Sequence, residues 1–310
     1  RGEATKAIEL FQEQNDEAGL AMGWSLLGLF HVVKCEFAAS QDAWEKAAAH
    51  AHAAGEEREE LEYLNWIPIC VWGGPTPVEQ GIRRCQEVLE EAGGDRKAMS
   101  TALFVQGKLE AMRGRFDEAR GLIQRARGLL EEIGLAVWIA GPLTQMSGWV
   151  EILAGDLTGA EGAMLPGVEK LRGIGELAWL STEAAILAEV MYQQERYEES
   201  AEFLRMADEA GGSDDVYTQG LLLGIRSKVL AGQGHRDEAE GLGREALAVA
   251  DGTDFLFLQG FTRLCLGEAL QISSANDAAR SVLNEAIDIC ERKGFTVGAD
   301  RARALLARES

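Results

Sequence analysis

An all-α solenoid of helical hairpins is the fold class this 310-residue sequence predicts, and three observations predict it. One short segment recurs at a period near forty residues, small residues hold fixed places in each copy, and a glycine closes nearly every unit. A period of that length means stacked supersecondary units, none of which can bury its apolar face alone.

The recurring segment is clearest as GRFDEARGLIQRA from Gly114, and it returns from Gly155, Glu195, Gly234 and Ser274 at steps of 41, 40, 39 and 40 residues. Weaker copies begin at Ala38 and Thr76, and a half copy, GEATKAIELF, opens the chain at Gly2. Five places after each turn stands a small residue: Ala43, Gly81, Ala119, Ala160, Ser200, Ala239 and Ala279. Two helical turns on, the same face carries Ala126, Gly167, Ala207, Ala246 and Ala286. Upstream of the turns Gly107, Gly148, Ala188, Ser227 and Gly267 mark a partner helix that approaches closely. Each unit is therefore a hairpin, helix A followed by helix B.

The hairpins are expected at roughly 17–55, 56–94, 95–134, 135–175, 176–212, 213–252 and 253–294, after a partial repeat at 1–16 and before a terminal helix at 295–310. Gly55, Gly94, Gly134, Gly175, Gly212, Gly252 and Gly294 follow the B helices where a left-handed C-cap is wanted. Stacked hairpins make a right-handed superhelix whose concave groove is lined by A helices. Val, Ile and Thr are too dispersed for a sheet. Two places break the pattern. Pro166 inside a B helix predicts a kink or early stop. The stretch Asn65–Gln80, with three prolines and a Gly-Gly pair, reads as a longer and stiffer turn, either a functional elbow or a plain connection.

Composition sets the partners. Thirty basic against fifty-one acidic residues give a net charge of −21, which repels phosphate backbones and anionic membranes. The uncharged stretch Ile133–Val150 contains Pro142 and polar residues, so it reads as two buried helical pieces and no membrane insertion is expected. Five cysteines without a CxxC pair fit reduced thiols and a cytoplasmic location. The start has neither an initiating Met nor a signal segment and reads as cut from a longer protein.

The repeat at Gly114, with Gly107, Phe116, Ala119, Ile123 and Ala126, resembles the tetratricopeptide motif in the longer variant of maltose-regulator-type bacterial proteins. More narrowly, GPTPVEQGIRRCQEVL, LEAMRGRFDEAR, AWLSTEAAILAEVMYQQERYEESAE and ERKGFTVGADRARALLA resemble the C-terminal tail of bacterial multidomain proteins joining a class III cyclase domain to an ATPase domain. That resemblance implies a regulatory platform of a signalling protein, working on an attached domain that this sequence does not contain. No phosphate loop, cyclase metal aspartates or helix-turn-helix can be placed on these residues.

Direct searches for chemistry return nothing catalytic. GGSDD at Gly211 lacks the spacing of a nucleophile elbow, and His31, His50, His52 and His235 do not cluster as metal ligands. GQGHRDEA at Gly232 follows a helix and is a repeat turn, so it is no dinucleotide fingerprint. The Glu pairs at 56–57, 90–91 and 131–132 sit on polar helix faces. No enzyme activity and no cofactor are expected.

Tetratricopeptide geometry instead nominates a concave binding surface: Tyr63, Trp66, Phe104, Lys108, Gln145, Trp149, Glu189, Tyr192, Lys228, Phe261 and Glu268. Aromatics beside charges offer anchors and register to a peptide, although Trp149 and Phe104 equally fit filler between neighbouring A helices. The expected partner is a protein or peptide, including the attached domain or a second copy, with a small-molecule effector as the alternative.

Overall fold

The computed structural model describes residues 2–211 and 215–308, and among them every regular element is a helix. Helix α1 (Gly2–Gln14) is the half hairpin. The A–B pairs that follow are α2 (Glu17–Val33) with α3 (Phe37–Ala54), then α4 (Glu57–Leu64) and α5 (Ile67–Gly73) with α6 (Val78–Glu91), and α7 (Arg96–Met112) with α8 (Phe116–Glu132). Next come the short α9 (Ala136–Trp138) and α10 (Thr144–Ala154) with α11 (Leu157–Ile174), and α12 (Leu177–Gln193) with α13 (Tyr197–Ala210). Helices α14 (Val216–Gly232) with α15 (Arg236–Asp251) and α16 (Leu256–Ile272) with α17 (Asn276–Lys293) complete the stack, and α18 (Thr296–Ala307) ends it.

The small residues sit where helix backbones meet. A Cβ added at Gly148 would lie 2.2 Å from the Met164 sulfur, and one at Gly267 would lie 2.5 Å from Leu283. At the equivalent place in other units, Ser40 donates to the Gly28 carbonyl at 2.9 Å and Ser200 to the Ala188 carbonyl at 2.8 Å; the turn of the first of these is Cys35 at φ 52°, so that copy begins three residues before Ala38, with Ser40 and not Ala43 in the small position. The A-to-B turns need positive φ, which Gly114, Gly155 and Gly234 supply at 81°, 75° and 88° and which Glu195 and Ser274 adopt at 62° and 64°.

Four further sequence expectations change. Helix α11 runs unbroken through Pro166, so the early stop does not occur. The stretch Asn65–Gln80 is largely helical: Pro68, lacking an N–H, ends α4 at Leu64, and the chain restarts as α5 two residues on. Gly252 has φ −71° and is no left-handed cap, because the Thr253 hydroxyl donates to the Ala250 carbonyl and turns the chain there. Ile133–Val150 is nearly continuous helix, with a wide π-type turn, Ile139–Leu143, accommodating Pro142. Gly212, nominated as a cap, lies outside the described residues.

The largest difference is at the axis. B helices are buried along one stripe, but α7 is buried at every position from Ser100 to Met112 and α12 from Leu180 to Tyr192. A helix buried all round belongs to a filled interior. It is filled because the stack curls until its last complete hairpin meets its first two. Asp254, just before α16, accepts the Phe37 and Ala38 amide N–H groups at 2.7 Å each and so caps the N-terminus of α3. Lys293, at the end of α17, donates to the carbonyls of Val71, Gly74 and Thr76 at 3.0, 2.7 and 2.8 Å. The Asn65–Gln80 stretch is thus the receptor of the closing contact.

Candidate functional site

Closure turns the groove into a lumen crossed by an aromatic layer. Phe255 packs edge-on against Phe37 and Trp72 at 5.0 Å each, and Phe257 meets Trp149 at 5.0 Å, Phe295 at 5.5 Å and Phe261 at 6.4 Å. The Trp149 indole donates to the Tyr217 hydroxyl at 3.0 Å. Lys108 is fully buried behind this layer, its Nζ 4.3 Å from the Trp149 ring and 4.1 Å from Phe257, with no hydrogen-bond partner. Burial pulls its pKa well below that of an ordinary lysine.

The nominated groove residues do not form one open surface. Phe104, Lys108, Gln145, Trp149, Glu189, Tyr192, Lys228 and Phe261 are buried, and Tyr63, Trp66 and Glu268 are partly buried. The cause is the seam, which brings Phe255 and Phe257 into the space the groove would occupy. Trp66 stacks on Trp44 with an interplanar angle of 8°, and Tyr63 packs on the same ring. Phe104 is core.

Six of the nominated residues come together at the C-terminal ends of the A helices. There Trp149, Tyr192, Phe261 and Glu268, with Arg301 and Arg308 of the last helix, line a cavity of about 550 Å³, and Lys228 lies beneath Tyr192. Lys228 donates to both Glu189 oxygens at 2.8 and 2.7 Å, Gln193 adds a third donor at 2.7 Å, and Tyr192 donates to Glu268 at 3.2 Å. Arg301 lies 3.5 Å from Glu268 and 3.7 Å from Glu189. Burial pushes the Glu268 carboxyl up, but Lys228, Arg301 and the Tyr192 hydroxyl outweigh it and hold the group below its ordinary value. Burial likewise pushes Lys228 down, and Glu189 and Glu268 more than restore it. Both acids are therefore matched, and the cavity wall adds one more group of each sign, Arg308 and Glu195.

Sequence reasoning missed Arg301, Arg308, Tyr217, Phe255 and Phe257. A signal existed: the A helices α12, α14 and α16 carry only two charged residues each in seventeen, which marks interior helices instead of groove walls. The five cysteines are buried and unpaired, and burial raises each thiol to about 12, so none is a nucleophile at neutral pH. Among the described residues no three His, Cys, Asp or Glu come together as metal ligands, and no helix is long and apolar enough to cross a membrane.

No protein-family model matches the chain, and no curated protein matches it. Among solved structures it is similar to yeast Tom70, at 15% identity and a TM-score of 0.50, over 99% of this chain and 61% of that one. It is also similar to NprR, solved in complex with its cognate peptide NprX, at 13% identity and a TM-score of 0.54, over 92% of this chain and 81% of that one. At these identities the likeness establishes the fold, an α-solenoid of tetratricopeptide-like hairpins.

Proposed function

We propose that this chain is a non-catalytic binding module that takes the carboxylate end of a peptide or protein segment into the cavity between Trp149, Tyr192 and Arg301. One observation carries the reading: the cavity sets the guanidinium groups of Arg301 and Arg308 among the aromatic walls of Trp149, Tyr192 and Phe261. Aromatic faces give a short segment rigid anchors, and arginine meets a carboxylate with paired donors. The fold shared with NprR, solved with a bound peptide, supports the same class of ligand. Because the lumen is filled by Phe255 and Phe257, the reading is of a compact pocket, and a long peptide threaded along an open groove is set aside.

The regulatory setting belongs to this proposal: a cytoplasmic scaffold of a bacterial signalling ATPase or cyclase, with the attached domain or a second copy supplying the bound segment. The small-molecule alternative shares the cavity, whose volume suits an effector as well. Titrating pools of octapeptides with free or amidated C-termini, read by melting temperature, separates the readings. The free-carboxylate pool alone should stabilise the chain, and Arg301→Ala should remove the shift. Equal shifts from both pools, or none, would overturn the carboxylate reading.

A further inference from the structure

We infer that the opposite rim of the lumen is a second and separate site, built for an uncharged, mainly apolar small molecule that carries a carbonyl group. The inference stands independently of the peptide reading. The N-terminal ends of α12, α14 and α16, the start of α10 and the helix α5 converge there around a cavity of about 370 Å³, within the range of small-ligand sites. Its walls are Trp66, Trp72, Met146, Trp179, Tyr217 and Phe255. The aromatic layer separates it from the Arg301 cavity, with Tyr217 and Phe255 on this side and Trp149 and Phe257 on the other.

One polar side chain on the wall of this cavity lacks a partner. Gln145 is only 4% exposed and makes no hydrogen bond among the described residues. The Trp72 indole N–H is also unpaired, but it is sequestered from the chamber as well as from solvent. Buried polar groups are ordinarily satisfied, so an unpaired amide in an apolar chamber defines what a ligand must bring. A carbonyl oxygen accepts from the Gln145 N–H, and an amide ligand also donates to the Gln145 oxygen. The remainder must be apolar to match the aromatic walls.

Charge is excluded by the same inventory. No lysine, arginine or histidine lines the chamber, and the one acid at its edge, Asp215, is committed to capping α14 through the Thr218 N–H at 3.1 Å and hydroxyl at 2.6 Å. An ionic ligand would lose its hydration and find no counter-charge.

The test uses octanamide, octanoate and octylammonium as probes of equal chain length, titrated into the full chain at neutral pH and read by tryptophan fluorescence, since Trp66, Trp72 and Trp179 all line the chamber. Octanamide should bind saturably and the two ions at least tenfold more weakly. Gln145→Leu, which breaks no hydrogen bond of the fold, should weaken octanamide at least tenfold. Val33→Trp, at the half-exposed lip, should block it. Arg301→Ala should leave octanamide unchanged, so failure of the peptide site and failure of this one are read apart. Absence of saturable octanamide binding, binding of octanoate as tight as of the amide, or indifference to Gln145→Leu would each overturn the inference.

Discussion

The contacts that build each hairpin and the seam that closes the stack obey different rules. Inside a hairpin the chain relies on absence: Gly107, Gly148 and Gly267 leave room for Ile123, Met164 and Leu283, and the same device recurs every forty residues. The seam relies on single groups. Asp254 caps a helix 217 residues away, and Lys293 ties down three carbonyls between 217 and 222 residues away. Repeated contacts set a stack of any length, whereas the seam decides that this stack ends as a ring with a filled lumen and two mouths. A repeat array without such a tie unfolds by nearest-neighbour steps. With it, the first and last hairpins are coupled.

The variants that break this comparison most are at the seam. Phe255→Ala, which empties the centre of the aromatic layer, should cost about 4 kcal/mol in urea unfolding. Lys293→Met leaves the buried carbonyls of Val71 and Gly74 and the part-buried one of Thr76 without this donor and should cost about 3 kcal/mol, while broadening the transition as the ends uncouple. Within a hairpin, Gly148→Ala forces the flexible Met164 tip aside and should cost about 1–2 kcal/mol with no broadening. Asp254→Ala removes one helix cap and should cost about 1 kcal/mol.

The smallest effect is a slope. Burial drives the Lys293 amine from its ordinary 10.5 down to about 7, with Asp254 pulling back. Between those values the folded chain binds fewer protons than the unfolded one, so this group adds stability as pH rises above 7 and adds none of that gain below it. Comparing the unfolding free energy of the original chain and Lys293→Met from pH 7 to 8.5, where the unfolded-state titration of the cysteines is common to both and cancels in the difference, should show the original chain gaining on the variant as pH rises.

The hairpin half of this comparison was legible in the sequence. Small residues are read from spacing, and Gly148 against Met164 is a contact 16 residues apart within one unit. The seam was not legible, because one lysine and one aspartate among 81 charged residues carry no periodic mark, and their acceptors are backbone atoms. The site suffered in the same way. Trp149, Tyr192 and Glu268 were nominated by repeat register, but register does not tell whether a groove stays open; that depends on the small rotation per repeat, accumulated until Asp254 reaches Phe37. Proline was legible by chemistry and misread by consequence: Pro68 split a helix, whereas Pro166 sits inside α11 without ending it.

Closure itself is the claim to test first. Spin labels at Gln80→Cys and Arg292→Cys, both exposed and on opposite sides of the seam, attach selectively because the native thiols are buried. The account predicts a single short, narrow distance distribution that lengthens and broadens when Asp254→Ala and Lys293→Met are combined. A long or broad distribution in the otherwise unaltered chain would contradict it.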